Sequence, residues 1–138
     1  MSAGDKLARA ARWIRWAKEE LQWADHGLAA SDLVPRPACM HAQQAAEKAL
    51  KAALIASEVD FPRQHNLNAL RNLLPDYWRV KQEFPDLAEL SIWIIDARYP
   101  GDLPEPGVRD AHRAVEQARG IIESVEAQFH ELYRDFQS

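Results

Sequence analysis

The chain contains a single cysteine, Cys39, among its 138 residues, so no internal disulfide can form. Small extracellular domains usually depend on disulfides, whereas their absence suits a reducing compartment, and we expect a cytoplasmic protein. No apolar run approaches the roughly 20 residues that a membrane span requires. The N-terminal segment also lacks the apolar core and small-residue cleavage site of a secretory signal. The sequence therefore predicts no membrane association.

Metal-binding and phosphate-cradling motifs are missing as well. The sequence has no Cys-x-x-Cys, no His-Glu-x-x-His and no acidic loop with glycine, which are the patterns typical of zinc and calcium sites. It also has no glycine-rich phosphate loop. We therefore expect neither a metal site nor a bound cofactor.

The charge of the chain argues against a protein coated for nonspecific nucleic-acid binding, because the net charge is -4. Basic residues outnumber acidic ones over residues 1–82, and acidic residues predominate over residues 83–138. This asymmetry fits self-association or a basic partner, and it fits equally two differently solvated faces.

The first strong helical pattern covers residues 5–30. Its apolar residues recur at steps of three and four and form one stripe: Leu7, Ala10, Ile14, Ala17, Leu21, Ala24 and Leu28. Trp13, Trp16 and Trp23 form a second stripe beside it. A helix with two apolar stripes lies deep in a bundle or meets a second subunit, and we expect a homodimer.

An alanine-rich helix is predicted over residues 38–57, after a break that contains Pro35 and Pro37. Proline does not fit inside a helix, although Pro37 suits the first turn. Alanines recur along one face and allow close packing: Ala42, Ala45, Ala49 and Ala53.

Three further helices are predicted, over residues 66–79, 86–98 and 107–136. The first of them places Leu67, Leu70, Leu74, Tyr77 and Trp78 inward. No segment alternates with the period of a strand. The sequence thus predicts one all-α domain over residues 1–138, an up-and-down helical bundle of four long helices plus one short helix.

Three motifs together resemble the HEPN family (higher eukaryote and prokaryote nucleotide-binding domain). Residues 41–51, HAQQAAEKALK, resemble the signature of its second helix. Residues 64–67, QHNL, resemble its short His-x-Leu motif, and residues 97–101, ARYPG, resemble its Arg-Tyr-Pro motif. Their order and spacing also agree, and the resemblance spans roughly residues 5–130.

The resemblance implies a bundle of four long helices plus a short one, often a homodimer. Such proteins are often encoded beside a small nucleotidyltransferase, and some pairs behave as toxin and antitoxin. Some HEPN domains are metal-independent ribonucleases, while others bind a nucleotide or substrate without cleaving it.

The ribonuclease members use an arginine followed, after four to six residues, by a histidine that carries a proton. The matching arginine here is Arg98, but positions 103–105 read Leu-Pro-Glu. His112 lies too far along the chain. Arg36 and His41 match the spacing literally, but they precede the second helix, where the family has no such site. We therefore assign no catalytic residue and expect a noncatalytic protein.

A binding site is the remaining functional prediction. His41, Gln44 and Lys48 share one face of the second helix, and the resemblance places Arg98 and Tyr99 near them. Arginine and lysine supply charge for phosphate, histidine and glutamine supply hydrogen bonds, and tyrosine stacks on a base. An ordinary solvated helix face, on which Gln43 and Glu47 form a neighbour pair, explains the pattern about equally well.

The leading hypothesis is a HEPN-like nucleotide- or RNA-binding subunit, paired with a small nucleotidyltransferase in a toxin–antitoxin-like module. A dimeric endoribonuclease with an unconventional proton carrier is the second hypothesis. A plain oligomerisation module is the third.

Overall fold

The computed structural model describes residues 2–94 and 105–134 of the chain. Within these two ranges all regular secondary structure is helical, which confirms the predicted all-α bundle. The helices are α1 (Ala3–Ala29), α2 (Pro35–Ala56), α3 (Leu67–Leu73), α4 (Val80–Glu83), α5 (Ala88–Ser91) and α6 (Val108–Tyr133).

The long helices begin at residues that satisfy or tolerate their unpaired backbone groups. Ser2 and Asp5 form a capping box at the start of α1, because Ser2 Oγ accepts from the Asp5 N–H and Asp5 accepts from the Ser2 N–H. Helix α2 begins at Pro35, three residues earlier than expected. Both Pro35 and Pro37 lie in its first turn, where a missing N–H costs nothing.

Helix α2 forms the centre of the bundle, since it contacts both α1 and α6 more extensively than these two contact each other. Its small residues explain this position, because alanine lets neighbouring helices approach closely. The alanines singled out in the sequence are all buried: Ala42, Ala45, Ala49 and Ala53.

The shorter helices differ most from the prediction. Helix α3 ends at Leu73, because Pro75 removes a donor and the chain turns there. Trp78 is buried as expected, and its Nε1 donates to Ser57 Oγ at 2.7 Å. The expectation for Tyr77 is wrong: the turn after Pro75 breaks the helical phase and leaves this ring half exposed. Helix α5 covers only four residues of the predicted helix 86–98. Positions 95–98 of that prediction lie outside the described residues.

Cys39 lies in the second turn of α2 and is completely buried. Burial raises the pKa of its thiol to about 11, and the negative charge of Asp110 acts in the same direction. None of the described helices is long and apolar enough to cross a membrane.

Candidate binding cleft

A cleft of about 310 Å³ opens between α1, α2 and the segment that follows α5. Its wall combines polar side chains with apolar ones, the mixture typical of small-molecule sites. The lining residues are Glu20, Pro37, Met40, His41, Gln43, Gln44, His65, Trp93 and Ile94.

Three of the predicted binding residues lie together, and two of them line this cleft. His41 and Gln44 line it directly. Lys48 lies one turn behind them, and its Nζ donates to Gln44 Oε1 at 3.2 Å. The other two predicted residues, Arg98 and Tyr99, lie outside the described residues.

Glu20 of α1 is the residue that joins this group. One of its carboxylate oxygens lies 3.5 Å from Lys48 Nζ, and the other lies 3.6 Å from His41 Nδ1. Nothing in the sequence marks Glu20. Its contacts depend on how α1 packs against α2, and its partner Lys48 is 28 residues further along the chain. We name Glu20, His41, Gln44 and Lys48 the open cluster.

An exposed aromatic ring extends the open cluster toward solvent. Trp23 stacks against His41, with ring centroids 6.3 Å apart and an interplanar angle of 25°. Trp93, which also lines the cleft, is buried. The cleft thus has flat apolar surfaces as well as hydrogen-bonding groups.

A second polar group is centred on the neighbouring strip of α2, where the side chains of Gln43, Glu47 and Lys51 are largely buried. Glu47 accepts hydrogen bonds from Lys51 Nζ at 3.0 Å and from Gln43 Nε2 at 3.2 Å. His65 Nδ1 lies 2.9 Å from Glu47 Oε1 and donates to it, because an ionised carboxylate only accepts. We name these four residues the closed cluster.

Burial alone would raise the pKa of Glu47, but its hydrogen bonds oppose that effect. The contacts from His65 and Lys51, the positive charge of Lys51 and the amide of Gln43 together hold the pKa below its ordinary value. The Gln43–Glu47 pair expected from the sequence is therefore present. The alternative of a solvated face is wrong for this pair, because both side chains are buried and the loop carrying His65 covers them.

The backbone of His65, which precedes α3, is held against α2 as well. Its carbonyl oxygen accepts from Gln43 Nε2 at 3.2 Å. Because its ring lines the cleft as well, His65 links the closed cluster to the open one.

The other candidate residues, Arg36 and His112, are not among the residues that line the cleft. Arg36 Nη2 donates to Glu105 Oε1 at 2.6 Å. His112 is exposed on α6 and borders a different cavity, of about 570 Å³. In the part of the chain that the structure describes, no three His, Cys, Asp or Glu side chains are grouped to hold a metal ion.

Comparison with known proteins identifies the family of this fold. The sequence model of the HEPN domain family matches residues 10–128 of this chain. TT1696 from Thermus thermophilus is 30% identical, with 86% of this chain and 97% of that chain covered and a TM-score of 0.72. ST0689, an archaeal HEPN homologue, is 25% identical, with 87% and 97% covered and a TM-score of 0.60. Among proteins of curated description, none matches the chain significantly.

Proposed function

The chain belongs to the HEPN family, and from this we propose that it is a nucleotide- or RNA-binding subunit that does not cleave its ligand. The observation that carries the proposal is the open cluster at the mouth of a 310 Å³ cleft. This volume lies at the lower end of the range for small-molecule sites and suits about one nucleoside.

The open cluster offers the groups that a nucleotide needs. Lys48 and His41 supply donors for phosphate, and Gln44 offers an amide for a base edge. Met40 and Trp93 give the apolar surface against which a base packs. The family resemblance adds Arg98 as a planar donor fork for phosphate and Tyr99 as a second stacking surface.

The noncatalytic part of the proposal is supported by the sequence after Arg98. Cleavage of RNA without a metal requires a group that moves a proton. Positions 103–105 hold Leu, Pro and Glu, where the ribonuclease members carry histidine. Such a site would hold a nucleotide without cutting it.

The proposed assembly is a homodimer that pairs with a small nucleotidyltransferase in a toxin–antitoxin-like module. This part is supported by family membership, since HEPN proteins of this type are often encoded beside such an enzyme. A gene for a small nucleotidyltransferase next to this one, and co-purification of the two products, are the expected observations.

One contact favours a second candidate function, a metal-independent endoribonuclease. The Glu47 carboxylate orients the ring of His65, and such carboxylate–histidine pairs are common among general bases. Because His65 lines the cleft, it is the residue placed to replace the missing histidine.

The test is calorimetric titration of the full chain with ATP and with a short RNA. Removing one charged phosphate contact should weaken binding roughly tenfold to a hundredfold, so we expect that loss for Lys48→Ala and for Arg98→Ala. Lys18→Ala is the matched control, because Lys18 is ion-paired with Glu126 away from the cleft.

The proposal is overturned if neither ligand binds the wild type. It is also overturned if Lys48→Ala and Arg98→Ala both bind as tightly as the wild type. An RNA-cleavage assay decides between the two candidates. Robust cleavage that His65→Ala abolishes, with the fold intact by circular dichroism, would replace the binding function by the nuclease.

A further inference from the structure

Two exposed tryptophans lie on one side of α1, the side turned away from its buried stripe. Trp16 is 40% exposed and Trp23 is 62% exposed. They are seven residues apart, which places them on the same face about 10 Å from each other along the helix. Arg9 precedes Trp16 by another seven residues and Arg12 precedes it by four. We name Arg9, Arg12, Trp16 and Trp23 the α1 stripe.

The arginines of this helix differ from its lysines. Lys6 pairs with Glu58 at 3.1 Å, and Lys18 pairs with Glu126 at 2.6 Å. Arg9 and Arg12 are exposed and form no ion pair or hydrogen bond with any residue in the ranges 2–94 and 105–134. Their guanidinium groups, which match phosphate geometry, are therefore available to a ligand.

Trp16 is held in place from below. Trp13 packs against the core, and its ring meets that of Trp16 edge to face with centroids 5.2 Å apart. Trp13 is also contacted by Lys51, whose Nζ lies 5.9 Å from the centroid of the Trp13 ring. Trp13 therefore supports the stripe without belonging to it.

The α1 stripe is continuous with the cleft. Trp23 stacks on His41, which lines the cleft. The surface thus runs from the open cluster across two aromatic rings to two unpaired arginines. Exposed rings interleaved with arginines are the arrangement on which single strands bind, because any unpaired base stacks on a ring while the arginines contact the backbone.

We infer that the α1 stripe binds single-stranded nucleic acid, with one nucleotide in the cleft and the neighbouring bases on Trp23 and Trp16. This inference rests on the proposed function and names its ligand class, a strand in preference to a free nucleotide. A second copy of the chain fits this face less well, because a two-fold interface would bring like-charged arginines of the two stripes together, and the stripe itself holds no carboxylate to pair with them.

Fluorescence anisotropy with a short fluorescein-labelled oligouridine tests the inference. Trp23→Leu and Trp16→Leu should each weaken binding by roughly five- to a hundredfold, the range for loss of one base stack. Arg12→Gln should weaken binding and lower the slope of log affinity against log salt by about 1. Quenching of tryptophan fluorescence by the strand should shrink in Trp23→Leu.

Matched controls change the same residue types elsewhere on the surface. Tyr77→Leu removes another half-exposed ring, and Arg113→Gln removes an exposed arginine that is paired with Glu89 and Asp110. Both should keep the wild-type affinity within about twofold. ATP, whose proposed site is the cleft, should bind Trp16→Leu as it binds the wild type.

Each outcome decides between the two proposals. Strand binding unchanged in Trp16→Leu, Trp23→Leu and Arg12→Gln would overturn the inference and leave the cleft standing. Binding of ATP without binding of the strand would do the same. A wild type that binds neither ligand would overturn both. Light scattering that shows a dimer becoming a monomer in Trp23→Leu, with strand affinity unchanged, would assign the stripe to a second copy instead.

Discussion

The open and closed clusters contain the same three ionisable residue types in two different settings. In each, one carboxylate lies between a lysine and a histidine. Glu47 is 2.9 Å from His65 and 3.0 Å from Lys51, whereas Glu20 is 3.6 Å from His41 and 3.5 Å from Lys48. The Glu47 side chain is 6% exposed and that of Glu20 is 21% exposed.

The difference separates a structural group from the proposed binding group. A buried carboxylate must be fully hydrogen-bonded, and Glu47 has three donors for its two oxygens. Glu20 holds its partners at longer distances beside an open cleft, so under the proposed function a phosphate would displace it at small cost. The same chemistry thus stabilises the loop before α3 in one place and leaves the partners of Glu20 more loosely held in the other.

The largest expected effect comes from removing the closed carboxylate. Glu47→Ala leaves Lys51, whose side chain is only 11% exposed, without its counter-ion. Breaking a buried pair in this way costs about 3–5 kcal/mol of unfolding free energy. Glu20→Ala is the matched change in the open cluster and should cost at most about 1 kcal/mol. Urea denaturation followed by circular dichroism measures both, and equal losses would remove the distinction between the clusters.

Lowering the pH should reduce the stability of the fold by an intermediate amount, smaller than the loss in Glu47→Ala. The pKa of Glu47 is lower in the folded protein than its ordinary value of 4.5, because its hydrogen bonds outweigh burial. Such a group stabilises the fold above the unfolded pKa, and this stabilisation disappears as the pH falls through the folded pKa. Wild type should therefore lose more stability than Glu47→Gln between pH 5 and pH 3.

The comparison with Glu47→Gln cancels the other acidic groups. The pKa values of Asp76 and Asp86 are also lowered, the first by Lys81 and the second by the Ala88 N–H and Asn68. Both pairs remain in the variant. Urea midpoints that fall in parallel for the two proteins would show that the closed cluster does not titrate in this range.

The smallest expected effect sharpens the open cluster. Glu20→Gln removes the charge that competes with phosphate for Lys48 and His41, so ATP affinity should rise by roughly two- to fivefold, the worth of one exposed ion pair. Glu19→Gln makes the same change one residue away on the exposed side of α1 and should leave the affinity unchanged. Weaker binding in Glu20→Gln would mean that Glu20 positions Lys48 and His41 for the ligand.

The long helices could be predicted closely from the sequence, because their apolar residues keep the helical period over more than 20 positions. Expected bounds of 5–30 and 107–136 compare with Ala3–Ala29 and Val108–Tyr133. The short helices could not, since α3, α4 and α5 depend on contacts from distant residues. For example, Gln128 of α6 accepts from the Arg79 N–H and donates to the Tyr77 carbonyl.

The candidate site could be predicted only in part for a related reason. A helical period shows that His41, Gln44 and Lys48 share a face, because this depends on one helix. It does not show that Glu20 lies opposite them or that the His65 loop covers Glu47, because these contacts depend on how elements pack. The periodicity of one helix does not show which charged residues a second helix or loop places against it.

The sealed thiol of Cys39 offers a practical use. With a pKa near 11, it carries almost no thiolate at neutral pH, and thiolate is the form that reacts with alkylating reagents. Native protein should therefore leave it unlabelled for as long as the first turns of α2 stay closed. The rate at which Cys39 is alkylated therefore measures the rate of local opening of α2. A cysteine introduced on the surface of α1 can be labelled with a dye without competition from Cys39.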